Sequence, residues 1–212
     1  MTLDMPMRRM AMKRRTILTG LVLAATGLGV AVTRASTVIG KANGVSGTVS
    51  RRQQDKEEAL DAGGSILDKD YVITGAESFA DLQLGEDTRI LLGGDTELLV
   101  DSFIAGQGGT LELGMGQMVF DRPEGLPKVD VAVRTAFGMI GVRGTKFFAG
   151  QSRGAFGVFV EHGQVAVNAG GVTRLVSGGE GVQMTNRGDA PGEPVKWSQE
   201  RIDEAYASVG LR

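Results

Sequence analysis

The stretch Val129-Asp130-Val131-Ala132-Val133-Arg134-Thr135-Ala136-Phe137-Gly138-Met139-Ile140-Gly141-Val142-Arg143-Gly144-Thr145-Lys146-Phe147 decides the fold. In its first half, valines 129, 131 and 133 alternate with Asp130, Ala132 and Arg134, the period-two signature of a half-buried strand. In its second half glycine returns at 138, 141 and 144, every third residue, which suits tight corners and close backbone approach. The segment therefore reads as short strand, sharp corner, short strand.

The same grammar extends in both directions. Ala80, Leu82 and Leu84 share one face, as do Leu111 and Leu113, Phe156, Val158 and Val160, and Val165 and Val167. Further short runs lie at 88–92, 97–100, 117–120, 172–176 and 181–185. Turn residues separate them: Gly85-Glu86-Asp87, Glu161-His162-Gly163 and Asn168-Ala169-Gly170-Gly171. This spacing predicts an all-β domain over residues 40–186, many short strands in a wrapped sandwich or solenoid-like stack. No helical pattern lies between the strands, which argues against a parallel βαβ sheet. Residues 88–95 echo 173–180, and 116–120 echo 163–167. The offsets differ, so a strand–turn unit is reused without a tandem duplication. The polar run Arg51–Glu58 reads as a solvated loop or sheet edge.

Composition narrows the function. The chain has 33 glycines, about twice average usage, but only 5 prolines, and 42% of its residues are hydrophobic, enough for a packed core. With no cysteine and one histidine, His162, disulfides, thiolate metal sites and multi-histidine metal sites are excluded. Residues 36–212 hold 17 Lys/Arg against 24 Asp/Glu, a net −7 that argues against nucleic-acid binding.

The two ends read differently. Residues 1–35 combine the basic Lys13-Arg14-Arg15, an uncharged run from Ile17 to Val32 and Thr33-Arg34-Ala35. This is an export signal, twin-arginine-like in Arg14-Arg15, with cleavage expected after Ala35. The alternative is a retained anchor crossing the membrane through residues 16–33. Either reading puts the β domain outside the cytoplasmic membrane, in the periplasm. At the other end, residues 187–197 read as a linker and 198–212 as a closing helix. Ser198 caps it, Glu200 sits near its positive end, and Ile202, Ala205, Tyr206 and Val209 share one face. With Trp197, that face is expected to dock on the body; binding a partner is the alternative.

Two blocks resemble the FecR domain. The first runs from Gly64 through Asp70, Tyr71, Val72, Ile73, Thr74 and Gly75 to Ser78, Ala80, Leu82 and Leu84. The family carries glycine before this aspartate, where this chain has Lys69. The second, Val133 to Phe147, is similar to the family's VRTPxGxxGVRGTxF core, with Ala136 in the proline place. The resemblance covers about residues 60–185 and marks Asp70, Thr74, Gly75, Arg134, Thr135, Gly138, Gly141, Arg143, Gly144 and Thr145 as structural motif residues. It implies a β-rich periplasmic domain. In the best-known members this domain follows a cytoplasmic anti-sigma region and relays a signal from an outer-membrane receptor. About fifteen residues precede the apolar run here, fewer than a domain needs, so a stand-alone member is expected, without sigma-factor control.

A buried arginine must be paired, so Arg143 is expected to find an acid, with Asp70 the candidate and an external anion the alternative. No catalytic constellation emerges. Gly144-Thr145-Lys146 is not a phosphate loop, and Gly114-Met115-Gly116 lacks the dinucleotide fingerprint. His162 reads as an exposed turn residue, and Asp68, Asp70, Asp95 and Glu97 as solvated turn residues rather than a calcium site. The expectation is a non-catalytic envelope module that needs no cofactor or metal and binds a protein. The alternatives are a structural or surface-display protein, and an enzyme acting on envelope polysaccharide.

Overall fold

The computed structural model describes residues 37–211, so the expected signal or anchor lies outside the described residues. Among them, no helix is long and apolar enough to cross a membrane. Eighteen strands form two nine-stranded sheets, and one helix follows. The all-β expectation holds, and the sheets do not close into a barrel.

The chain alternates between the sheets as it advances. It lays β1 (Val38–Ser46) in the first sheet, then the hairpin β2 (Val49–Gln53) and β3 (Lys56–Ala59) in the second. β4 (Ser65–Leu67) returns to the first and β5 (Tyr71–Thr74) to the second. Then β6 (Phe79–Leu84) and β7 (Thr88–Leu92) join the first sheet, β8 (Glu97–Ile104) and β9 (Gly108–Met115) the second. β10 (Met118–Asp121) crosses the first sheet alone, followed by β11 (Asp130–Thr135) and β12 (Met139–Val142) in the second. β13 (Lys146–Ser152) and β14 (Ala155–His162), β15 (Gln164–Ala169) and β16 (Val172–Ser177), and β17 (Glu180–Met184) and β18 (Val195–Lys196) complete the alternation.

This path explains the one parallel pairing. A hairpin returns the chain to the edge it entered from, so the next strand laid beside it in that sheet runs antiparallel, as β12 and β15 do. The lone β10 carries the chain across once, so β11 runs parallel to β9.

The inner faces make one core. Leu82, Leu84, Ile90, Leu92, Phe120 and Phe147 of the first sheet meet Leu98, Val100, Leu111, Val133, Ile140 and Val165 of the second. Of these, Leu82, Leu84, Leu111, Val133 and Val165 are residues that the period-two pattern placed on one face. The outer face of the first sheet has a second cluster, Leu91, Val119, Phe148 and Phe159, packed with Trp197, Ala205 and Val209. The covering element is α1 (Gln199–Ala207), whose N-cap Ser198 accepts the Arg201 N–H. Burial on both faces explains why β14 is buried from Ala155 through Val160.

The docked helix is the expected one, though shorter than 198–212. The linker expected over 187–197 ends early: Val195–Lys196 pair with β17, and Trp197 is buried. Trp197 stacks on Phe159 at 5.2 Å, and the Arg201 guanidinium lies 3.6 Å from its ring centroid. A side chain at Gly181 would strike the indole, so glycine there keeps the seat open. The polar run at 51–58 is the β2–β3 hairpin, with β3 at an edge of the second sheet.

Candidate functional site

The first motif block builds two corners. At one, Leu67–Asp70 carries the chain from β4 to β5. Lys69 adopts φ +68°, the left-handed conformation that a glycine takes at no steric cost. Lysine thus holds a conformation that suits the family's glycine, at a cost of about 1–2 kcal/mol. Asp70 is fully buried: its Oδ2 accepts the Leu67 N–H at 2.8 Å and lies 3.7 Å from Arg51 Nη1. Burial pushes its carboxyl above the ordinary range; the Leu67 N–H and Arg51 oppose this without cancelling it.

At the other corner, Thr74, Gly75 and Ser78 join neighbouring crossings. Thr74 Oγ1 donates to the Gly93 carbonyl and accepts the Thr96 N–H at 2.9 Å. The Gly75 N–H donates to Thr48 O at 2.9 Å, and Ser78 Oγ accepts the Thr48 N–H at 2.9 Å. Thr96 Oγ1 in turn accepts the Gln117 N–H at 3.1 Å. The motif's hydroxyls therefore fasten successive crossings along one long edge.

The second block is a hairpin plus a crossing. Thr135 Oγ1 accepts the Phe137 and Gly138 N–H groups, each at 3.1 Å, and fixes the β11–β12 turn. A side chain at Gly138 would strike the Asn168 carbonyl. Gly144 has φ +70° where the chain leaves for β13, and Thr145 beyond it is fully buried. Gly141 differs from the expectation of close approach. Its nearest neighbour would be Ala166 Cβ at 3.8 Å, ordinary contact.

Arg143 does not pair with Asp70. It is an exposed side chain, 3.7 Å from Asp130, while Asp70 faces Arg51 at another corner. The buried arginine here is Arg122, 2% exposed. It donates to Thr88 Oγ1 at 3.3 Å and the Pro127 carbonyl at 3.1 Å, and lies 3.6 Å from Asp87. Sequence reading missed it because two of its partners, Asp87 and Thr88, lie more than thirty residues away. Arg134 lies 3.7 Å from Asp101. His162 is not an exposed turn residue: it ends β14, half-buried, 3.5 Å from Glu124. Asp70, expected to be solvated, is the buried acid of its corner.

The motif also borders a cleft. The hairpin tip, Ala136–Phe137, lines a cavity of about 440 Å³ with Leu113, Met115, Phe156 and Arg187. Phe137 stacks on Phe156 at 4.6 Å, and Met115 is 62% exposed. The lining is mixed: these apolar side chains are joined by Asp95, Gln117, Gln151 and Arg187. Among the described residues no group of three or more His, Asp or Glu is placed to hold a metal.

Three substitutions test these corners. Thr74→Val should cost about 1–3 kcal/mol, because it leaves the Thr96 N–H buried and unpaired; urea unfolding measures it. Lys69→Gly should raise stability, by up to about 1 kcal/mol, in the same assay. Asp70 holds its proton more tightly folded than unfolded, so its contribution is present at low pH and fades as pH rises through its folded pKa. Asp70→Asn should flatten that part of the stability–pH curve.

The comparisons follow the same segment. Residues 70–166 match the family described as FecR protein. Two solved structures, both described as a "putative anti-sigma factor" from Parabacteroides distasonis ATCC 8503, are similar in fold. Each is 16% identical, over 63% of this chain and 62% of that one, with TM-scores of 0.50 and 0.49. The similarity thus spans about three-fifths of those proteins' own length. No curated protein matches. Residues 70–166, which hold most of the motif corners described above, are thus similar to the FecR family.

Proposed function

We propose that this chain is a periplasmic signalling module of the FecR type that works by binding a protein partner rather than by catalysis. The observation that carries the reading is the cleft at the tip of the family hairpin. The fold uses Thr135, Gly138 and Gly144 to build the corners, yet leaves Phe137, Met115 and Arg187 around an open hollow. Apolar and aromatic groups interleaved with a few polar and charged ones suit the side chains of another protein. The match of residues 70–166 to the FecR family and the export-type pattern of residues 1–35 support the role and the compartment. The anti-sigma description of the structural neighbours concerns those proteins; for this chain only the relay of a signal through a bound partner is proposed.

A photo-crosslinking residue placed at Phe137 or Met115 in living cells tests it. The expected result is one discrete adduct from both positions, and none from Asn43, an exposed residue of β1. Adducts spread equally over all three positions, or absent at 137 and 115, would sink the reading.

A further inference from the structure

Of the four strands at the sheet edges, three are poor templates for pairing. β18 has two residues, β4 three, and β3 reads Lys56-Glu57-Glu58-Ala59. Short length and charge are the usual protections of an edge. β16 has neither: it runs six residues, Val172-Thr173-Arg174-Leu175-Val176-Ser177, and its one charge is paired with Glu193. Leu175 on its outer face is 60% exposed.

The free backbone groups of β16 can be assigned. Gly170 and Gly171, with φ +53° and +76°, form the two-residue turn to β15, so Ala169 and Val172 close a hydrogen-bonded pair. Alternation then turns Arg174 and Val176 towards β15, and Thr173, Leu175 and Ser177 away from it. The Ser177 N–H accordingly goes to Glu180 Oε2 at 3.1 Å. Among the described residues no backbone hydrogen bond joins 187–194 to β16.

We infer that two copies of this chain pair through β16, antiparallel about a two-fold axis at Leu175. The occupant follows from charge and symmetry. β16 is the one long, weakly charged edge among the described residues, so the matching edge on a second copy is β16 itself. Two registers use both free N–H groups of each copy, those of Thr173 and Leu175, within the strand. Pairing Thr173 with the second copy's Leu175 sets Arg174 against Arg174, and like charges directly opposite repel. Centring on Leu175 sets Arg174 against Val176, Leu175 against Leu175, covering the exposed side chain, and Thr173 against Ser177, where the Ser177 carbonyl accepts the Thr173 N–H while the Ser177 N–H stays with Glu180. This contact is separate from the cleft and needs no other protein.

The chain has no cysteine, so a single introduced thiol reports the register. Residues facing each other in a hydrogen-bonded pair have Cα atoms about 5.5 Å apart, within disulfide reach. Full-length Leu175→Cys should oxidise to a disulfide-linked dimer, and Thr173→Cys should not. In density-matched non-ionic detergent, the unmodified chain should sediment as a dimer, and Leu175→Lys should weaken association by roughly tenfold or more. A monomer at every concentration, equal cross-linking from 173 and 175, or a dimer untouched by Leu175→Lys would overturn the inference. None of these results bears on the adducts expected at Phe137.

Discussion

Every passage from one sheet to the other takes the backbone out of its ladder, and the groups released there must find partners. On one long edge of this molecule they find them in a row of hydroxyls. Ser78 takes the Thr48 N–H, Thr74 takes that of Thr96, and Thr96 takes that of Gln117. The Gln117 side chain then reaches the Ser208 carbonyl beyond the closing helix. A buried unpaired amide costs about 1–3 kcal/mol, so this seam determines whether the alternating path is stable. The core packs only because the corners let the chain keep changing sheets.

The closing helix depends on that arrangement. Trp197 lies over Phe159, and Tyr206 donates to Glu161. Burial alone would raise the Glu161 pKa; hydrogen bonds from Tyr206 and Lys146 outweigh it and hold the carboxylate ionised. Arg153 grips Glu204 with two bonds of 2.8 Å. With these ties the helix acts as a third layer over one sheet; among the described residues the outer face of the other sheet has no such helix.

Much of this was legible in the sequence, for a physical reason. Strands with one wet face, such as β6 and β11, alternate strictly, and their inner residues could be read directly. The expected face of the closing helix was right because amphipathic spacing survives a few residues of fraying. Partners distant in sequence were not legible. Arg143 was expected inside because it stands between two glycines, yet the corner turns it to solvent; Arg122 was passed over because nothing local marks it. Lys69 shows the other limit: nothing local marks a lysine as left-handed, yet the tertiary structure holds it in that conformation.

The lone crossing of β10 has a consequence for how such a chain can lengthen. Each strand pairs mainly with its immediate neighbours in the row, so a whole hairpin added or removed would leave all other strands pointing as before. A single strand gained or lost would reverse the direction of everything after it and swap which end of the stack each later loop occupies. Relatives of different size are therefore expected to differ by two strands at a time, and β10 is the crossing after which β11 runs parallel to β9.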